Sequence, residues 1–146
     1  MPWLAERMAA LVTLAGEHAR VDLVTWAPTT TSRRHDRGFD HAELLARAIA
    51  RALGLRAGPT LWRHPGPPQT GQRAAVRRAG PRFDARRAGL PRGVLLVDDV
   101  ATTGATLTAA AGALRSRGAA RVVAVTAART PQPGPASPGR PRVARV

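Results

Sequence analysis

The sequence predicts an α/β fold with a mainly parallel sheet flanked by helices, and three observations lead there. Apolar, β-branched runs at residues 21–26 (VDLVTW), 94–97 (VLLV) and 119–128 (AARVVAVTAA) alternate with stretches of helical periodicity. The run at 94–97 is apolar without interruption, as expected of a strand covered on both faces. Small or polar loops join the strands to the helices that follow, the layout of βα units.

The first helix is read over residues 3–15, where Leu4, Met8, Leu11, Val12 and Ala15 recur at helical spacing and Gly16 can end it. His18, in the linker behind it, reads as a surface histidine. The strand at 21–26 is closed by Pro28, and the loop at 27–38 (APTTTSRRHDRG) brings Arg33, Arg34 and Arg37 between a strand end and a helix. Arginines there suit a pyrophosphate, and His35 is the histidine placed for a phosphate contact. Asp40 with Glu43 predicts a capping box, and Phe39 with Leu44 has the spacing of a hydrophobic staple. Leu44, Leu45, Ala48, Ile49, Ala52 and Leu53 form the expected buried stripe, Gly54 the stop, and His41 faces solvent in the first turn.

Residues 59–63 (PTLWR) read as a short strand. From 64 to 83 prolines, glycines and basic residues replace periodicity, so this loop is either disordered or a mobile closure over a ligand. The helix after the strand at 94–97 is read over 107–117, with Gly118 as its stop, and the strand at 119–128 follows. The expected organisation is one domain over residues 1–130 and a disordered Pro/Gly/Arg-rich tail over 131–146.

Composition narrows the function. With no cysteine in 146 residues, disulfides and cysteine-based zinc or redox sites are excluded, which fits a reducing cytoplasm. No stretch reaches the length of a membrane span and no signal segment is visible, so a cytoplasmic protein without membrane insertion is expected. The formal charge of +14 points to a polyanionic partner. Every basic residue is arginine in a chain crowded with Ala, Gly and Pro, however, which reads as compositional bias with a solvated basic surface. At 3% aromatics, platforms for stacking single strands are scarce.

The chemistry concentrates at residues 94–107, VLLVDDVATTGATL. A helix start leaves backbone N–H groups unpaired and carries partial positive charge, so a turn of Thr, Gly and Ala there suits a phosphate. Asp98 and Asp99 repel a phosphate; what carboxylates accept is hydrogen bonds from vicinal hydroxyls, and ribose 5-phosphate satisfies both halves. The chain has no lysine for a GxxxxGK[ST] loop, and no GxGxxG follows a strand.

At these residues the sequence resembles the phosphoribosyl pyrophosphate (PRPP) signature of type I phosphoribosyltransferases: an apolar strand, two acidic residues, two small or apolar residues, then TTGxT. The resemblance implies that Asp98 and Asp99 are the catalytic pair, holding the ribose 2′ and 3′ hydroxyls. It implies that Ala101, Thr102, Thr103, Gly104, Ala105 and Thr106 wrap the 5′-phosphate. Over residues 20–130 the chain is similar to the ComF family, bacterial phosphoribosyltransferase-like proteins linked to DNA uptake in natural competence, most specifically at RGFDHAELLA (37–46) and at 98–106.

By that similarity Ala27, Pro28, Thr29 and Arg37 belong to the pyrophosphate loop, and residues 63–78 to the flexible loop, with Gln69 and Arg77 or Arg78 matching its usual Gln and Arg. Asp40 replaces the family's usual Asn. The four-cysteine zinc ribbon of longer members has no counterpart here, so zinc is not expected, whereas Mg²⁺ is expected to arrive with PRPP and without a direct protein ligand. The implied activity is transfer of phosphoribosyl from PRPP to an acceptor, by substitution at the anomeric carbon with loss of pyrophosphate. The alternative is a PRPP- or nucleotide-sensing domain or a DNA-uptake accessory, favoured by the few aromatics available for a nucleobase hood. Implied partners are PRPP and either competence proteins or single-stranded DNA.

Overall fold

The computed structural model describes residues 2–29, 39–65, 80–86, 89–101, 103–129 and 142–146. Along the chain run α1 (Pro2–Leu14), a 3-10 turn (His18–Arg20), β1 (Leu23–Trp26), α2 (His41–Leu53), β2 (Arg56–Ala57), β3 (Leu61–Arg63), β4 (Phe83–Ala85), β5 (Gly93–Ala101), α3 (Ala105–Ser116), β6 (Arg121–Arg129) and β7 (Arg142–Arg145). The main sheet has the order β2-β1-β5-β6-β7, parallel except for β7, and β3 pairs antiparallel with β4 in a separate two-stranded sheet. The α/β class and the mostly parallel sheet read from the sequence are those found.

Side chains alternate across β5 and divide the core. Leu95 and Val97 join Val24, Trp26, Val123 and Val125 in a cluster with α1 and α2. Val94 and Leu96 turn to the opposite face, against Leu107, Ala110 and Leu114 of α3 and against Leu61 and Phe83 of the small sheet. With 0% exposure for all four of Val94, Leu95, Leu96 and Val97, the uninterrupted run does what its composition requires. Thr25, buried in β1, donates to the Gly58 carbonyl at 3.0 Å and pairs with the Thr60 hydroxyl at 2.7 Å, tying the sheet to the approach of β3.

Three expectations are corrected. Leu44 and Ala52 were expected in the buried stripe of α2, yet both are exposed, and Ala42, Ala46 and Ala50 are buried in their place. Small side chains let α2 lie close to its neighbours, so the alanine edge turns inward and the stripe is rotated. Phe39 is likewise about half exposed, as is Leu44, so the expected staple leaves both partners in solvent. Asp40 does cap the helix, its Oδ1 accepting from Ala42 N–H at 3.0 Å, but Glu43 pairs with Arg47 at 2.9 Å instead of returning the capping-box bond.

Secondly, β5 does not stop before the acidic pair. It continues through Asp98 and Asp99 to Ala101 because β6 offers backbone partners along that length, Asp98 facing Thr126 and Ala101 facing Arg129. Thirdly, residues 142–145, assigned by composition to a disordered tail, form an edge strand on β6. The period-2 pattern of RVARV places Val143 against the α1 and α2 cluster and Val146 against the α3 cluster.

An ion network fixes that strand. Glu17 is only 4% exposed, and its carboxylate accepts from Arg121 Nε at 2.8 Å and Nη2 at 3.0 Å and from Arg145 Nε at 3.0 Å. Led by the Arg121 hydrogen bonds, these donors outweigh desolvation and hold the Glu17 carboxyl at about 2, below its ordinary 4.5. A depressed carboxyl stabilises the fold fully above about 4.5 and loses that contribution as pH falls toward about 2. The Arg145 side chain is 68% exposed, so water screens its share and Arg121 carries most of the effect. Glu17→Gln is expected to lower stability at neutral pH by about 1–3 kcal/mol and to flatten the acid limb of the stability profile, measured by urea unfolding across pH. An unchanged acid limb would remove this network as the anchor of β7.

Candidate functional site

The chain leaves β1 through α2 toward β2 on one side and leaves β5 through α3 toward β6 on the other. The adjacent carboxyl ends of β1 and β5 are therefore a topological switch point, where the diverging connections open a crevice. A cleft of about 480 Å³ lies there. Ala27, Pro28 and Thr29 enter it from the end of β1, Phe39, Asp40, His41 and Ala42 from the start of α2, Asp98, Asp99 and Val100 from β5, and Thr106 from the first turn of α3. Arg63 of β3 reaches the same space, its guanidinium also lying 5.5 Å from the Phe83 ring centre.

The acidic pair sets the electrostatics. Asp98 is 7% exposed and Asp99 is half-buried, on successive positions of one strand. Asp98 Oδ1 accepts from Asp99 N–H at 2.9 Å, and Asp99 Oδ1 accepts from Val100 N–H at 2.8 Å. Burial, above all, pushes the Asp98 carboxyl up to about 7 from its ordinary 3.8, reinforced by the hydrogen bond and charge of Asp99 and by the charge of Asp40. The cleft thus holds, in Asp98, a carboxyl that changes its protonation near neutral pH. Asp40 is committed structurally: beyond capping α2, its Oδ2 accepts from Thr29 N–H at 3.0 Å, so one carboxylate pins the turn after β1 to the start of α2.

Gly104 is the N-cap of α3 at φ 82°, a left-handed conformation that L side chains rarely adopt. That conformation fits the entry into the helix, whose first N–H groups lack intrahelical partners. Thr103 Oγ1 accepts from Ala105 N–H at 3.3 Å, and Thr108 N–H reaches the Gly104 carbonyl at 2.9 Å. Among the described residues no group of three or more His, Asp and Glu side chains could hold a metal ion. No helix among them is long and apolar enough to cross a membrane.

Of the residues singled out from sequence, Ala27, Pro28, Thr29, Asp98, Asp99 and Thr106 meet in this one cleft. Ala101 and Gly104 instead line a separate cleft on the other flank of α3, and Thr103 and Ala105 are exposed beside it. Arg33, Arg34, His35, Arg37, Gln69, Arg77, Arg78 and Thr102 lie outside the described residues. In the sequence Phe39, Asp40 and His41 read as staple, cap and solvent-facing residues, and Val100 carries no functional signal. What could have found them is the rule that the start of the helix after one parallel strand and the carboxyl end of the neighbouring strand line the crevice between them.

The model of the phosphoribosyl transferase domain family matches residues 42–138, a span that begins after β1 and the turn behind it. No curated protein matches the chain. Among solved structures it is similar to the allosteric regulatory enzyme of purine biosynthesis, at 24% identity and a TM-score of 0.53, over 86% of this chain and 26% of that one. It is also similar to hypoxanthine phosphoribosyltransferase from Staphylococcus aureus and to hypoxanthine phosphoribosyl transferase from Trypanosoma cruzi, each at 15% identity and a TM-score of 0.53, over 94% of this chain and 69% of theirs. At these identities the likeness is one of fold, and the chain spans about a quarter of the first of the three.

Proposed function

Since the chain belongs to the phosphoribosyl transferase domain family, we propose that it binds PRPP in the cleft at the ends of β1 and β5 and passes the phosphoribosyl group to an acceptor. One observation carries the reading: two adjacent carboxylates and the first turn of a helix line a single crevice at the switch point of a parallel sheet. Asp98 and Asp99 accept hydrogen bonds from the ribose 2′ and 3′ hydroxyls. The turn from Ala101 to Thr106 takes the 5′-phosphate on its amides and hydroxyls. The turn at Ala27, Pro28 and Thr29 receives the pyrophosphate, and by the family resemblance Arg37, Gln69 and Arg77 or Arg78 are assigned to the same group.

Mg²⁺ fits this donor set as an ion carried by the substrate. Two carboxylates do not make a cage: the ion would be held by the diphosphate of PRPP rather than by a direct protein ligand, Asp98 and Asp99 would hold the ribose beside it, and the charge it would supply is that needed to neutralise a diphosphate leaving group. We place the chain nearest the ComF proteins, with a role in DNA uptake, on the strength of its RGFDHAELLA and DDVATTGAT segments.

The decisive experiment is calorimetry with Mg·PRPP, followed by incubation with PRPP and a panel of bases and amines while pyrophosphate is measured. Saturable binding with acceptor-dependent release supports transfer. Saturable binding without release supports a sensing role, and no binding overturns both. Affinity is also expected to rise as pH climbs through about 7, because hydroxyl donors need an ionised acceptor and Asp98 gives up its proton in that range. Affinity that stays flat across neutrality would take Asp98 out of the ribose site. A third reading, DNA binding through the +14 charge, predicts that affinity for single-stranded DNA collapses steeply with added salt.

A further inference from the structure

A second cleft, of about 500 Å³, opens between the first turn of α3 and strands β6 and β7, and it shares no lining residue with the acidic one. Its base is the cross-strand pair Ala124 and Ala144, and Leu107 and Val146 complete an apolar interior. The volume lies within the range of pockets that take small organic molecules.

Among the described residues, the polar side chains that line that interior are Thr108, Thr126, Arg129 and Arg142. Thr126 and Arg142 form the cross-strand pair next to the two alanines, on the same face of the sheet. Thr126 is 5% exposed, yet its hydroxyl makes no hydrogen bond among the described residues. Because no buried side-chain oxygen or nitrogen there is both unbonded and sealed from solvent, Oγ1 must be open to the cleft. An unbonded hydroxyl that is otherwise enclosed is an unmet demand for a partner. Arg142, and Arg129 at the end of β6, line the same space without an ion pair among the described residues. Gly104 and Thr108 bring the positive end of α3 to the opposite wall. Among the described residues no Asp or Glu side chain lines the cleft.

We infer that this cleft binds a small organic anion with a flat apolar body. The body lies among Leu107, Ala124, Ala144 and Val146, and the acidic group is met by the Arg142 guanidinium and the Thr126 hydroxyl, with the α3 dipole behind it. A carboxylate and a phosphate monoester satisfy the same donors. The ligand is a second one, held apart from the ribose cleft by the turn that the two clefts border from opposite flanks.

The test uses 1-naphthoate, with neutral 1-naphthalenemethanol as its comparator, titrated into the full chain and followed by amide chemical shifts. Saturable changes centred on Gly104, Thr108, Thr126 and Ala144 are expected, with the neutral alcohol at least about tenfold weaker. Arg142→Gln should weaken naphthoate about tenfold, the loss expected for one hydrogen bond to a charged group. Ala144→Trp, which fills the cleft from an exposed edge-strand position, should abolish binding even if Arg142→Gln disturbs the strand. Equal binding of the alcohol, shifts centred on the Asp98 and Asp99 cleft, or naphthoate affinity unchanged in both variants would overturn the inference, as would no binding. Mg·PRPP affinity measured on the same variants should match the parent chain, so a failure of the PRPP reading is recognised separately.

Discussion

Asp98→Asn is expected to weaken Mg·PRPP binding by about 2–4 kcal/mol, roughly thirtyfold to several hundredfold, while making the protein measured without PRPP more stable. Both effects have one cause. Asp98 is buried beside Asp99 with Asp40 nearby, and its carboxyl rises to about 7 because the ionised form is poorly solvated and repelled. An acid whose folded value exceeds its unfolded one keeps a proton that the unfolded chain has released. Stability therefore declines as pH rises from about 3.8 to about 7, and the cost is fully present above that range. Asparagine keeps an oxygen to accept from Asp99 N–H, removes the charge, and should recover about 1–2 kcal/mol at neutral pH, visible as a rise in Tm of a few degrees. Asp99→Asn should act in the same two directions, since it removes the partner charge. Calorimetry and thermal unfolding on both variants decide the matter. Loss of stability together with binding would assign the pair to the fold, and binding preserved in both variants would remove it from the ribose site.

The same opposition explains why the acidic pair was legible in the sequence when much else was not. Two carboxylates behind a fully apolar strand conflict with local burial, and nothing in turn chemistry needs both, so the conflict itself marked a site. The α/β class was legible because the run at 94–97 is too apolar for any but a covered sheet and the run at 119–128 supplies a further strand after the intervening helix. Strand length was not: pairing along β6 decides that β5 runs to Ala101, and backbone pairing is indifferent to the side chains that a sequence shows. Which edge of α2 turns inward was hidden for a related reason. Leucines at 44 and 45 and alanines at 42, 46 and 50 all satisfy the helical period, and only the closeness of the neighbouring elements selects Leu45 with the alanines over Leu44. β7 was lost in an average. Four residues with two arginines look like tail by composition, yet Glu17, more than a hundred positions away, gives Arg145 a partner.

Gly93→Ala is expected to destabilise the protein by about 3 kcal/mol or more, a large part of the 5–15 kcal/mol that a domain of this size has in hand. Gly93 opens β5 next to the turn that leads into β1. Asp22 N–H donates to its carbonyl at 2.9 Å, and its own N–H reaches Asp22 Oδ2 at 3.3 Å. A Cβ at this position would stand 1.9 Å from the Arg20 carbonyl oxygen, 2.8 Å from the Arg20 carbonyl carbon and 2.9 Å from Val21 Cα. All three are backbone atoms, so no rotamer change relieves the clash. Its φ is not in the left-handed region, which makes the effect one of space alone. Relief requires moving the chain ahead of β1 away from β5, against the pairing of Leu23 with Val94 through Trp26 with Val97. Those same two strands carry the acidic pair and the turn at Ala27 to their carboxyl ends, so whatever fraction of the variant folds should also bind Mg·PRPP less tightly. Gly58→Ala is the control, since nothing lies within 4 Å of a Cβ there, and its effect should stay within about 0.5 kcal/mol. Urea unfolding of the two variants side by side gives the answer. If they are equally stable, the close passage of residues 20–21 over Gly93 is not what sets the spacing of β1 and β5, and the geometry of the cleft at their far ends needs another source.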